Sequence, residues 1–479
     1  MIYLEAARSQ LSPLEDFGLT VLVDLSALLR VASPSEKVIS LAVNDDSAAG
    51  IGEPVTFGGG LGTVGISRRT LAAVGTVAGA IAEQESRAED QHQRVPSEVN
   101  AMVAGGATQS PWISAVARGL REAVLASAEG RVVRTLAPWP GGHRWAAAFT
   151  HDLDVVRYWP LFAGLRVLEL ARKGKVGQAL RVGASAMTST LGDPVGQGVR
   201  EILAIEREHA VTSTWFVIAG VPTFSSTRKG DVTYSVDDRQ ARRILASIGE
   251  AGHEIGLHGS FATFLDADIM RKERERLRGV TGTSATGVRQ HFLRMRPGLT
   301  HQAMADAGFS YDSSFGFPDR NGFRLGAGNV MPVWNNRGSA PLALEEAPLI
   351  WMDRALSKYR GIEVPARWVD EGLELARTAE QEEGLWVGLW HPNLTGALGF
   401  PGAPAEYRRM VQIIQARHPY VASLENIVEW RKARRSLLAR SVTPAGIPVL
   451  VADTPGEWPV VLEDGRGNAV ERLSWPAAA

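Results

Sequence analysis

Short apolar runs alternate with longer stretches that carry apolar residues at helical spacing, most regularly after residue 145. Residues 146–149, Ala-Ala-Ala-Phe, form an apolar run that ends in His151, Asp152 and Asp154. A run this short and apolar at every position suits a strand buried on both faces, as in parallel sheets covered by helices. Similar runs predict strands at 212–219, 253–257, 285–290, 309–313, 344–352, 385–390 and 420–423. Helical periodicity lies between them at 155–172, 199–209, 237–251, 269–278, 300–307, 366–380 and 407–416, with a last helix at 424–435. The charged helix at 269–278 reads as a solvated face laced with opposite charges. This alternation predicts a parallel α/β architecture, and roughly seven strand–helix units point to a distorted (β/α)7-type barrel, complete or incomplete, more than to an open sheet.

The flanking regions follow other patterns. Residues 1–140 read as a separate N-terminal α/β domain, with strands at 19–25 and 37–43 and helices at 70–88 and 112–128. The glycine-rich piece at 57–65 lacks the G-x-G-x-x-G spacing and the acidic residue of a dinucleotide site, so it reads as a loop, as does 91–110. The barrel is expected over 141–436. Residues 437–479 form a small C-terminal β appendage, with strands at 446–452 and 459–463.

Composition narrows the chemistry. The 479 residues carry 51 basic and 52 acidic side chains, so no global field recruits nucleic acid or an anionic surface. There is no cysteine, which excludes disulfides, thiolate catalysis and zinc sites built on sulfur. Any metal must use histidine, carboxylate and water. The N-terminus lacks a basic region followed by an apolar segment, and there is no integral membrane segment of 18 uninterrupted apolar residues, so the expectation is a soluble, cytoplasmic protein.

The polar residues that end the predicted strands carry the functional signal. His151, Asp152 and Asp154 follow the first barrel strand, His258 the third, Arg289 and His291 the fourth, and His391 the one before last. Strand C-termini converge on one pocket in a barrel, so these residues become neighbours. Taken singly, Asp152 or Asp154 is an ordinary helix N-cap and a strand-end histidine an ordinary hydrogen-bonding residue. Taken together, they indicate an imidazole and carboxylate metal site beside an acid and a base.

These stretches resemble the polysaccharide deacetylases of carbohydrate esterase family 4, over about residues 145–435. T-H-D-L-D at 150–154 lies where that family has T-F-D-D-G, and residues 212–219 are similar to its A-T-F-F-V strand. G-H-E-I-G-L-H-G-S at 252–260 is close to G-H-E-I-G-N-H-T, residues 289–298 are similar to the R-P-P-Y-G segment, and L-W-H-P-N at 389–393 looks like the late histidine motif. The Asp-x-Asp spacing resembles a divergent H-D-x-D branch. The family's H-x-x-x-H pair is interrupted, because its second position is Ala262.

The resemblance implies a metal-dependent hydrolase that removes an N-acyl group, N-acetyl above all, from a sugar or glycan precursor. Asp152 would be the general base, His391 the acid, and Arg289 the partner of the base through a bidentate pair. Asp154, His258 and His291 would hold a divalent ion, with the roles of Asp152 and Asp154 exchangeable and Asp353 a weaker candidate ligand. Zinc is favoured, with cobalt, manganese or nickel as alternatives. Trp215, Phe292, Tyr311, Trp334 and Trp390 are candidate walls for a sugar ring. The rival readings are a non-sugar C–N amidohydrolase and an inactive glycan-binding protein.

Overall fold

The computed structural model describes residues 2–3, 11–26, 39–44, 50–60, 63–127, 133–156, 159–188, 193–440, 458–463 and 469–475. Its N-terminal strands are β1 (Ile2–Tyr3), β2 (Ile39–Asn44), β3 (Gly58–Gly60) and β4 (Thr63–Ser67), in the order β1-β2-β4-β3. Residues 19–25, expected as a strand, belong instead to the helix Pro13–Ser26. The cause lies upstream: Ser12 and Glu15 form reciprocal side chain to backbone bonds, a capping box, with Pro13 at the first helical position. This helix crosses Arg68–Ala78 so closely that a Cβ on Gly18 would lie 2.1 Å from the Leu71 carbonyl oxygen. The glycine-rich piece expected as a loop is partly sheet, with β3 antiparallel to β4.

β5 (Val133–Leu136) pairs with β16 (Trp458–Glu463), which also pairs with β17 (Ala469–Trp475). The strand expected at 446–452 lies outside the described residues. The N-terminal core of Leu19, Leu71, Ile113 and Trp112 also takes in Met295, Phe315, Leu325 and Trp334 from the later chain. Buried Asp24 pairs with Arg431, Arg434 and Arg435 of the helix Leu424–Arg440.

The main sheet is built from β6 (Ala146–Leu153), β7 (Thr214–Ile218), β8 (Glu254–Gly259), β9 (Gly287–Gln290), β10 (Tyr311–Asp312), β11 (Met331–Asn335), β12 (Ala340–Glu346), β13 (Trp351–Met352), β14 (Leu385–Leu389) and β15 (Tyr420–Val421). Its order is β11-β12-β10-β9-β8-β7-β6-β14-β13, with β15 also on β6. All pairings are parallel except β11 with β12. β11 and β13 stand at opposite ends of that order, so the mixed α/β sheet is an incomplete barrel. The single strand expected at 344–352 is two, β12 and β13. Pro348 lies between them and offers no N–H for a ladder.

Side-chain parity along β6 sets the site. Ala147 and Phe149 pack into the core shared with the surrounding helices, including Val199, Ile202 and Tyr407. Ala146 and Ala148 face the other side of the sheet, with Phe216, Leu293 and Leu389. Because strand side chains alternate, Thr150, Asp152 and the following Asp154 share that inner side, while His151 turns outward.

Candidate active site

The pairing of β8 with β9 places His258 opposite Arg289, so the chain just past β9 carries His291 to the same end of the sheet. The His258 and His291 ring centroids are 5.0 Å apart. Both Nε2 atoms face Asp154 Oδ1, at 3.3 Å from His258 and 3.6 Å from His291. That oxygen is buried and makes no hydrogen bond. His391 Nε2 lies 3.6 Å from the other Asp154 oxygen, Oδ2. Burial alone would push the Asp154 carboxyl up, but the rings of His291, His258 and His391 hold it well below the usual carboxylate range.

The far side of each ring is tied down. His258 Nδ1 lies 2.8 Å from the Arg289 carbonyl, a pure acceptor, which makes it the protonated nitrogen. His291 Nδ1 lies 2.9 Å from Asp231 Oδ1. With each Nδ1–H donated outward, Nε2 is the nitrogen that both rings turn to the unpartnered Asp154 oxygen, the arrangement that metal-binding histidines need. The donor set therefore fits a divalent ion. Ala262, where the second family histidine would stand, is exposed on a turn, and His291 supplies the second imidazole.

A second buried group, His301, Asp312 and Glu346, has three unpartnered atoms facing one another. It differs in one respect. The Gly298 N–H donates to His301 Nδ1 at 3.2 Å, so the ring proton sits on Nε2 and leaves no lone pair for a metal there. Burial, then the charge of Asp312, push Glu346 well above the usual carboxylate range, so the group accommodates a shared proton.

Asp152 Oδ2 lies 3.5 Å from His258 Nε2, and its Oδ1 accepts from Arg289 Nη1 at 2.9 Å. The expected bidentate pair is a single bond, because the rest of the guanidinium is engaged: Nε and Nη2 donate to the Ser313 carbonyl and hydroxyl, and Nη1 also reaches Thr150 Oγ1. Arg289 is fully buried, its guanidinium 4.3 Å from the Phe216 ring centroid. His391 Nδ1 meets Asp353 Oδ1 at 2.6 Å, and the His391 N–H donates to Oδ2 at 2.6 Å. Asp353, weighed as a ligand, thus holds His391. Burial acts to lower the His391 pKa, but Asp353, Asp154 and Asp152 raise it above its ordinary value.

His151 does not reach the site. It lies in an outer network with Glu206 at 2.9 Å and the Trp390 carbonyl at 2.8 Å, near Ser213 and His253. Of the candidate aromatic walls only Phe292 lines the cavity, which measures about 490 Å³ and also holds Asp152, Asp154, His258, His291 and His391. Trp215, Tyr311, Trp334 and Trp390 are core residues. Phe292 and Leu293 have φ of 61° and 50°, a left-handed turn that bulky residues rarely adopt. The turn is braced: the Phe292 ring stacks on His291 at 3.9 Å, and buried Arg94 donates to the Phe292 carbonyl at 2.7 Å. Sequence reasoning missed Asp231 and Arg94, since neither belongs to a strand-end pattern.

No family model matches the sequence, and no curated protein matches it. Among solved structures, the chain is similar to a protein described as a polysaccharide deacetylase from Mycobacterium smegmatis, with 24% identity, 66% of this chain and 96% of that one covered, and a TM-score of 0.42. It is similar to the PuuE allantoinase at 16% identity, with 62% and 93% covered and a TM-score of 0.41. A CE4 family pseudoenzyme from Bacillus anthracis is similar at 11% identity, with 59% and 65% covered and a TM-score of 0.28. Thus the solved structures to which this chain is similar include described polysaccharide deacetylases and CE4 family members, the group that its sequence motifs resemble.

Proposed function

We propose that the chain hydrolyses the N-acyl group, N-acetyl above all, of a sugar or glycan precursor, with a divalent ion held by Asp154, His258 and His291. The observation that carries this reading is the convergence of two Nε2 atoms on one unpartnered carboxylate oxygen, beside a separate carboxylate and a separate carboxylate-bound histidine. Zinc is the favoured ion, since it accepts mixed imidazole and carboxylate ligands. When bound, such an ion supplies Lewis-acid polarisation of the acyl oxygen and acidifies a water.

The chain's own groups supply the proton transfers. Asp152, whose Oδ1 accepts from Arg289, takes a proton from the attacking water through Oδ2, the oxygen that Arg289 does not engage. As water oxygen bonds to the acyl carbon and the C–N bond breaks, the nitrogen takes a proton from His391 Nε2. Asp353 accepts from Nδ1 and fixes the ring so that Nε2 points into the cavity. Products are the carboxylic acid and the free amine.

The test is direct. Purified chain loaded with zinc, cobalt, manganese or nickel is offered N-acetylated sugars and, in parallel, small non-sugar N-acyl compounds, with release of amine as readout. Stoichiometric metal and chelator-sensitive turnover of the sugars support the proposal. Turnover confined to the non-sugar compounds, or failure to bind metal, overturns it.

A further inference from the structure

We propose that the substrate is an N-acyl sugar linked through phosphate to a long hydrocarbon chain, and that the enzyme meets it by docking a basic helical hairpin on an anionic membrane surface. This rests on the deacetylase reading above and adds the carrier. The hairpin consists of the helices Trp159–Arg172 and Val176–Thr188. Its inner face forms its own small core of Leu170, Ala179 and Val182, with Val167 against it. The outer face is apolar as well. Leu161, Leu165 and Leu168, spaced one helical turn apart, are 52%, 54% and 45% exposed, and on the second helix Val176 and Leu180 are 57% and 69% exposed. Packing within the chain does not require these side chains.

Three observations select a lipid surface as the occupant. The stripe is continuous with the active site, because Leu161 and Leu165 line the same cavity as Asp154 and His391. The hairpin is basic, with five basic residues against one acidic over 159–188. Arg166, Lys173 and Lys175 are paired with Glu169 or Glu363, while Arg172 and Arg181 have no carboxylate partner among the described residues. The cavity rim at 227–229 carries exposed Arg228 and Lys229, and Phe224, 86% exposed, opens the same short helix Phe224–Arg228. With Lys358 and Arg354 these cations line the cavity, and none of the four has a carboxylate partner among the described residues. An apolar stripe edged by lysine and arginine is the composition of a helix that lies in a membrane interface. Cations at the mouth that stack on aromatic rings or face solvent, without a carboxylate to neutralise them, complement a phosphate between the sugar and its chain.

The experiment has two arms on the zinc-loaded full chain. In the first, N-acetylglucosamine phosphate esterified to a long alkyl chain is compared with its methyl ester. The long-chain substrate is expected to have the higher kcat/KM by at least about tenfold, the gain from burying roughly two methylenes. Leu168→Asp combined with Leu180→Asp should erase that ratio. In the second, flotation with phosphatidylcholine vesicles, alone or mixed with phosphatidylglycerol, should show binding only to the anionic mixture, weakened by salt and by the double variant. Equal kcat/KM for both esters together with no flotation overturns the inference. So does a wild-type dimer that the double variant converts to monomer, since a second copy would then cover the stripe. If neither ester is hydrolysed, the deacetylase reading fails, and flotation alone decides whether the hairpin docks on anionic lipid.

Discussion

Asp353 holds His391 twice, with one carboxylate oxygen on the imidazole Nδ1 at 2.6 Å and the other on the backbone N–H at 2.6 Å. Rotation of the ring would break the first bond, while the second keeps the Asp353 carboxylate in place beside it, so Nε2 stays directed at the cavity. A residue held in this way is suited to delivering a proton at a fixed point. His391→Ala should therefore retain stoichiometric metal and lose on the order of 10²–10⁴ in kcat, the usual contribution of a positioned acid. Asp353→Asn should also keep its metal and reduce kcat more than it changes KM. Metal analysis of His391→Ala that found the site empty would make His391 a ligand and remove the acid from the scheme.

The histidines divide by which nitrogen is free. His258 and His291 anchor Nδ1 on the far side and direct Nε2 at Asp154, so His258→Ala and His291→Ala should each lower metal occupancy and turnover together. His301, whose Nδ1 accepts from Gly298, and His253, whose Nδ1 accepts from the Ser213 N–H at 3.0 Å, should leave occupancy unchanged when replaced by Gln. Titration of apo variants with zinc against a competing chelator reads all four. Full occupancy in His291→Ala would leave the site without its second imidazole and defeat this assignment.

Asp152, Asp154, His258 and His391 were legible as strand-end residues, but His151 was grouped with them, and its outward turn follows only once the alternation along β6 is known. His291 was legible because its neighbour Arg289 fixes the register. Other features were hidden for specific reasons. The run Leu19, Val21, Val23, Leu25 alternates like a strand, and only the cap at Ser12 and Glu15 reveals the helix. Asp231 reaches His291 across 60 residues of sequence and Arg94 reaches Phe292 across 198, so no local pattern announces either. The single bond between Arg289 and Asp152 follows from competition by Ser313 and Thr150, which only the folded geometry shows.

Arg94 offers a test of how the N-terminal chain supports the site. Its guanidinium bonds Asp90 and the Phe292 carbonyl, and it thereby fixes the left-handed turn that follows His291. Removing the brace should let the turn relax toward ordinary backbone angles and swing the imidazole away from Asp154. Arg94→Ala is expected to weaken zinc affinity by about 10–100-fold, the range for groups that orient a ligand, with far-ultraviolet circular dichroism unchanged. Wild-type affinity in this variant would show that Asp231 and Phe292 set the ring without Arg94.

Away from the site, Glu254 gives the fold a pH dependence of defined sign. It is half-buried between Tyr311, Thr214 and the Glu425 N–H, and loss of solvent around the carboxyl pushes it up to about 7 from an ordinary 4.5 despite those hydrogen bonds. The folded state therefore keeps a proton that the unfolded chain has already lost between those two values. More protons bound in the native state means that stability falls as pH rises through the window, by at most ~1.4 kcal/mol per pH unit for one group, and levels off above it. Glu254→Gln, which has no proton to lose, should flatten this slope. Urea unfolding of both proteins from about pH 5 to about pH 8 reads the difference. The wild type should lose more stability than the variant between the two ends, and parallel curves would mean that Glu254 ionises in the folded state as readily as in the unfolded one.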